Sequence, residues 1–365
     1  MAMKVLVALL SVGFAGTERH AIELTNALAH KCEVALLLRE RPAEVHRQAG
    51  YRTLRRMVAP GVKIFETSRA MPVFGLWRAL LRFRPDLIHA HHERSARIAS
   101  RWSFGVPVAA TVHVHFRARD FMRCNALICL PAAEAARVPP AYGGICQVIP
   151  NWVQHHSRPG ARRLASLRTE LGLTDRDFVI GSVSRLEPVK GLDGLIRAFG
   201  HADIPGARLV IVGDGSQRSE LESLSARLAA GNGLFTGFRD DARDLYALFN
   251  LFVLNSDDEP YGLAILEAAD AGVPIVATAT QGASAIAEHL PIHLVSIGSP
   301  DALEAALRLG VARGIPSPSV TGFGIDERLG ELQTVYDRLV AFGRKRQTMA
   351  RASYDGTARG HVPPA

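Results

Sequence analysis

Two successive series of short apolar runs, separated by stretches with helical periodicity, constrain this chain more than any other feature. The first series predicts strands near residues 4–10, 33–38, 62–65, 87–90, 106–113, 126–130 and 147–149. The second predicts strands near 178–183, 209–212, 234–235, 251–254 and 275–277. Runs that are apolar throughout belong to strands buried on both faces. The helical stretches between them supply the crossovers that parallel pairing needs. The expectation is an α/β chain with two doubly wound parallel sheets, each covered by helices on both faces. At 365 residues the chain is long enough for two cores. The periodicity breaks between residues 154 and 171, around Pro159-Gly160. The expected domains are therefore 1–160 and 161–324, followed by a helix over 325–342 and a basic, then Gly/Pro-rich tail over 343–365. A tail of that composition reads as disordered.

Composition excludes several classes. No window approaches the roughly 18 uninterrupted apolar residues of a membrane span. The apolar start Val5-Leu6-Val7-Ala8-Leu9-Leu10 is short and runs into a loop and an amphipathic helix, so it reads as the first strand and not as a targeting segment. Four cysteines, Cys32, Cys124, Cys129 and Cys146, form no C-x-x-C pair, which points to a reduced, cytoplasmic chain.

The segment Glu259-Pro-Tyr-Gly-Leu-Ala-Ile-Leu-Glu267 places two carboxylates around a turn that opens an apolar helix, expected over 262–271. The first turn of such a helix presents unpaired N–H groups and a partial positive charge. Gly262 and Leu263 stand there, ready to donate to an anion. Glu259 and Glu267 can accept from hydroxyl groups on either side. A nucleotide sugar offers that pattern: ribose diol, diphosphate, sugar diol. Upstream, a buried strand ends in Ser184-Arg185-Leu-Glu-Pro-Val-Lys190-Gly191. Cations at a strand's carboxyl end lie where open α/β sheets bind ligands. Arg185 offers a forked donor and Lys190 a point charge, a combination suited to a diphosphate.

The order of these blocks resembles the retaining glycosyltransferases of family 4. The resemblance rests on Arg185-Leu-x-x-x-Lys190-Gly191, Leu209-Val-Ile-Val-Gly213-Asp214-Gly215, Thr236-Gly237-Phe238, the two spaced glutamates, and Ala271-Gly-Val-Pro-Ile-Val-Ala-Thr278. Val148-Ile-Pro-Asn151-Trp-Val is similar to the family's Ile-Pro-Asn-Gly-Val junction. Together the blocks cover about residues 145–305. The amino-terminal half matches more loosely. The resemblance implies a GT-B fold, two Rossmann-like domains facing across a cleft, with the final helix packing back across them. It implies a metal-independent enzyme in which Arg185 and Lys190 neutralise the leaving diphosphate. Glu267 would hold the ribose and Glu259 the sugar hydroxyls, assisted by the N–H groups of Gly262 and Leu263. No cofactor is implied; a nucleotide-diphosphate sugar, expected to be a UDP-sugar, is the substrate.

Three departures bear on the donor sugar. The turn after the second glutamate helix, Gln281-Gly282-Ala283-Ser284-Ala285, lacks the family's acid; the loop Glu288-His-Leu-Pro is shortened; and Trp152 stands where the family has Gly.

The first loop, Gly13-Phe-Ala-Gly16-Thr17-Glu18, resembles the family's Gly-Gly-x-Glu loop, with Gly16 facing the diphosphate. A dinucleotide-binding reading fails because Gly13-x-x-Gly16 is not G-x-G-x-x-G. Histidines 89, 91, 92, 113 and 115 fall at the ends of two expected strands. His-x-His-His is not a standard zinc spacing and no cysteine accompanies it, so no metal is expected. His113, in Thr111-Val-His113, matches the family's histidine near donor sugar and acceptor. His115, two along on the same expected strand face, is its competitor.

The net charge is +8, yet residues 39–123 hold 17 Lys and Arg against 6 Asp and Glu, an excess of +11. These cations are scattered, without a nucleic-acid motif, so no nucleic-acid partner is expected. An anionic glycolipid or saccharide acceptor, or an anionic membrane surface, fits better. Phe74-Gly-Leu-Trp-Arg-Ala-Leu-Leu-Arg-Phe-Arg84 reads as a basic amphipathic helix, either a surface anchor at the inner face of the membrane or an ordinary packed helix. Two alternatives share this fold: a nucleotide-sugar 2-epimerase, and a non-catalytic nucleotide-sugar-binding partner subunit. The first would need further acid/base carboxylates, which the motif blocks do not contain.

Overall fold

The computed structural model describes residues 2–11, 16–39, 50–113, 115–229 and 231–358; for 50–53 and 344–358 it describes the backbone alone. The first series of apolar runs forms β1 (Lys4–Leu9), β2 (Glu33–Arg39), β3 (Lys63–Thr67), β4 (Leu87–His91), β5 (Val108–Val112), β6 (Ala126–Cys129) and β7 (Ile145–Val148). The second forms β8 (Phe178–Val183), β9 (Ala207–Val212), β10 (Gly233–Gly237), β11 (Leu251–Leu254), β12 (Ile275–Thr278) and β13 (His293–Val295). All strands pair in parallel, in the orders β3-β2-β1-β4-β5-β6-β7 and β10-β9-β8-β11-β12-β13. Central strands such as β1, β4 and β11 are buried along nearly their whole length, which is why they read as unbroken apolar runs. Edge strand β13, only three residues long and partly exposed, gave no such run.

The chain divides into two units: Met1–Ile149 with Asp326–Ala365, and Pro150–Ile325. The boundary falls before the expected residue 160. The segment after Pro150 already belongs to the second unit, because Val153 donates its N–H to the Phe323 carbonyl at 3.0 Å, where the chain leaves that unit. The final helix, Ile325–Ala358, returns to the first unit and buries Leu332, Val335, Tyr336 and Leu339. It passes the expected end at 342. Residues such as Arg344, Lys345, Arg346 and Gln347 are good helix formers, so a composition that signals disorder does not break the helix.

Each sheet reverses its winding once: between β1 and β4 in the first unit, and between β8 and β11 in the second. At such a point the helices leaving adjacent strands go to opposite faces, opening a crevice beyond the carboxyl ends. Both groups of sequence-selected residues lie at these ends.

Candidate active site

In the second unit, Arg185 follows β8 and is exposed. The chain then makes a single 3-10 turn, Pro188–Lys190, and Gly191 enters the left-handed region at φ 56°. A Cβ at Gly191 would stand 2.2 Å from the Asn255 carbonyl oxygen, so only glycine lets the β8 loop approach the end of β11 this closely. Asn255 Nδ2 donates to the Gly191 carbonyl at 2.7 Å, and Asp257 N donates to the Val189 carbonyl at 2.9 Å. These bonds carry Lys190 onto Glu259: Nζ and Oε2 are 2.7 Å apart, with both side chains largely buried.

The turn after Glu259 ends at Gly262, at φ 88°, and helix Leu263–Asp270 begins there. Glu259 is fixed from behind by Gly282, whose N–H donates to the Glu259 carbonyl at 2.9 Å. A Cβ on Gly282 would fall 2.4 Å from the Tyr261 Cα. The segment that lacks the family's acid is a helix, Gln281–Ala287, and not a turn, and it keeps at its start a glycine that backbone contact requires. Glu267, on the helix, accepts from Tyr246 Oη at 3.0 Å. It borders a cavity of about 80 Å³ lined also by His155, His156, Arg243 and Asp270. Asp270 accepts from His155 Nδ1 and from the His156 N–H, each at 2.8 Å, and pairs with Arg243. Sequence reasoning missed this brace, because its members lie far apart along the chain. The ring of Trp152, the junction departure, is buried in the same unit.

In the first unit, Gly16 is the exposed first residue of helix Gly16–Ala29; residues 13–15 of the expected phosphate loop lie outside the described residues. The registers of β1, β4 and β5 place Leu9, His91 and Thr111 side by side. Both His113 and His115 lie past the end of β5, so no strand pleat aligns them, contrary to expectation. They have different surroundings. His115 Nδ1 meets the buried carboxylate of Glu134 at 2.9 Å. His113 is buried, with Nε2 2.9 Å from His91 Nδ1. His20, on helix Gly16–Ala29, joins them edge-on to His113 at 4.7 Å between ring centroids. His89 packs on His91 and bonds Tyr336 Oη at 2.5 Å and Thr111 Oγ1 at 2.8 Å. Burial, and then the neighbouring imidazoles, hold His91 and His113 well below the usual histidine range; the same causes push His89 down to about 3. All three rings are neutral at physiological pH. His20 was not selected from sequence. Its signal was its place on the apolar face of its helix, four and eight residues before the buried Leu24 and Leu28.

Two family models match the chain: Glycosyltransferase Family 4 over residues 14–156, and Glycosyl transferases group 1 over residues 165–311. The lipopolysaccharide core biosynthesis glycosyltransferase LpsD of Rhizobium meliloti is 28% identical over 303 residues, spanning 80% of this chain and 84% of that protein. LpsE of the same organism is 27% identical over 277 residues, spanning 73% and 76% respectively. Among solved structures, Anabaena HepE in complex with UDP and glucose superposes with a TM-score of 0.72 at 20% identity, covering 98% of this chain and 100% of that one. Two parallel-sheet Rossmann-like units of seven and six strands define a GT-B fold. The chain is a group 1 glycosyltransferase of that fold.

Proposed function

We propose that this glycosyltransferase moves a hexose from a nucleotide-diphosphate donor, a UDP-sugar, to an anionic glycolipid or saccharide acceptor with retention of anomeric configuration. The observation that carries this reading is the Lys190–Glu259 pair, beside Arg185 and the start of helix Leu263–Asp270, at the winding reversal of the second sheet. As the glycosidic bond breaks, negative charge grows on the leaving diphosphate. Preorganised donors aimed at that charge lower the barrier. Arg185, Lys190 and the N–H groups of Gly262 and Leu263 are such donors. Lys190 turning to phosphate would release Glu259 to accept from the sugar hydroxyls, while Glu267 accepts from the ribose diol. With two cations on the diphosphate, the reaction needs no divalent ion there. Gly16 is assigned to the diphosphate and His113 to the donor sugar by family resemblance.

Two further observations support the acceptor side. The relatives LpsD and LpsE are lipopolysaccharide core enzymes. Helix Pro72–Phe83 buries Leu76, Ala79, Leu80 and Phe83 but turns Phe74, Trp77 and Leu81 outward, next to Arg78, Arg82 and Arg84. An amphipathic face of that kind suits an anionic membrane surface, which supports a cytoplasmic enzyme working against the inner leaflet. No described helix is long and apolar enough to cross a membrane.

Calorimetric titration with UDP, GDP and ADP, and with the corresponding sugar nucleotides, tests the donor. Saturable binding of UDP that is weakened in Arg185→Ala is expected; binding of none of them overturns the reading. Product NMR then reports the anomeric configuration, and inversion rejects the retaining assignment. Activity abolished by a chelator and restored by magnesium rejects metal independence.

A further inference from the structure

We infer that the first unit carries a transition-metal site formed by His20, His91 and His113. Each ring offers a nitrogen, and the three nitrogens lie within 4.8 Å of one another. The rings come from three separate places: helix Gly16–Ala29, the last residue of β4, and the segment just after β5. All three are buried. The second observation is the contact between His91 and His113: Nδ1 of one ring faces Nε2 of the other at 2.9 Å, with both rings buried. One imidazole turns only one nitrogen to a single ion, so an ion here would take the place of that bond.

The geometry requires only side-chain adjustment. Zinc holds imidazole nitrogens at about 2.0–2.1 Å, so tetrahedral ligand atoms stand about 3.3 Å apart. The 2.9 Å contact between His91 and His113 would open by a few tenths of an ångström. The widest separation would close by roughly 1.5 Å, within the reach of ring rotations. His89 stacks on His91 with both its own nitrogens held, by Tyr336 and Thr111, and so fixes the ring from outside the cluster. Three imidazoles without a thiolate favour zinc, cobalt, nickel or copper over magnesium or calcium, and leave a fourth position for water or an outside ligand. The site rests on the first unit alone and does not depend on the donor assigned above. Because His113 serves in both readings, bound metal, and not turnover, is the measurement.

The test uses the full chain without an affinity tag, stripped with a chelator and dialysed. Zinc is titrated by calorimetry, and cobalt by its visible absorption. The expected result is about one ion per chain, with the intense visible bands of four-coordinate cobalt. His20→Ala and His91→Ala should each weaken zinc binding at least tenfold, while His155→Ala, on an exposed histidine of the other unit, should not. Melting curves of the metal-free variants establish that they fold; if His91→Ala does not, the milder His20→Gln carries the comparison. Absence of saturable binding by the unaltered chain, or unchanged zinc affinity in a folded His20 variant, overturns the inference.

Discussion

At the scale of single residues, Lys190 and Glu259 are the informative pair. They satisfy each other at 2.7 Å, and in the proposed function both are redirected, one to a diphosphate and the other to a sugar. Replacing Arg185 or Lys190 with Ala should leave the fold intact, since both sit on a strand-end loop. Each change removes a charge-assisted contact of about 1.5–3 kcal/mol, and more where charge grows in the transition state. Turnover at saturating donor should fall at least tenfold; near-normal rates in both variants would refute the assignment. The two carboxylates should separate under calorimetry with nucleoside diphosphate alone. Glu267→Gln should weaken that binding, whereas Glu259→Gln should spare it and damage use of the sugar. Equal losses in both would show that the division of roles is wrong.

At the scale of elements, one contact braces the Glu259 turn and another holds the final helix on the first sheet. Gly282, in the first turn of helix Gln281–Ala287, lets that turn lie against Tyr261. Gly282→Ala should push that turn away and cost about 1–3 kcal/mol. A lowered urea midpoint, together with weaker nucleotide binding, is the expected signature; an unchanged midpoint would mean the turn shifts freely. In the first unit, Tyr336 carries the final helix onto His89. Tyr336→Phe leaves a buried ring nitrogen without its partner, at a cost of about 1–3 kcal/mol. Denaturant melts should show the loss, while nucleotide binding in the second unit should be unaffected.

For the whole molecule, the charge distribution is lopsided. The +11 excess over residues 39–123 exceeds the +8 of the entire chain. Exposed Phe74, Trp77 and Leu81 stand among those cations. Salt screens such attraction within a Debye length of about 8 Å at physiological ionic strength. The protein should therefore sediment with anionic vesicles at low salt and release at high salt. Neutralising Arg78, Arg82 and Arg84 together should reduce association without altering nucleotide affinity. Equal binding to neutral and anionic vesicles would instead favour a soluble acceptor.

The sequence by itself determined the two parallel sheets, because strands buried on both faces must be apolar throughout, and that pattern is local. It determined which cations and carboxylates stand at strand ends, because Arg185, Lys190 and Glu259 lie in short motifs whose turn chemistry is also local. The convergence of those residues was decided by tertiary structure. Lys190 meets Glu259 only because Gly191 packs on Asn255, and nothing in either segment encodes the other. The same holds for Asp270 and His155, and for His20 beside His91 and His113. The histidines near two strand ends were visible as a pattern, but their grouping was not. The order in which β1, β4 and β5 lie in the sheet put His91 beside the β5 end, and a helix after β1 brought the third ring. Strand order is fixed by the packing of crossover helices on both faces, a property of the assembled sheet that no single segment carries.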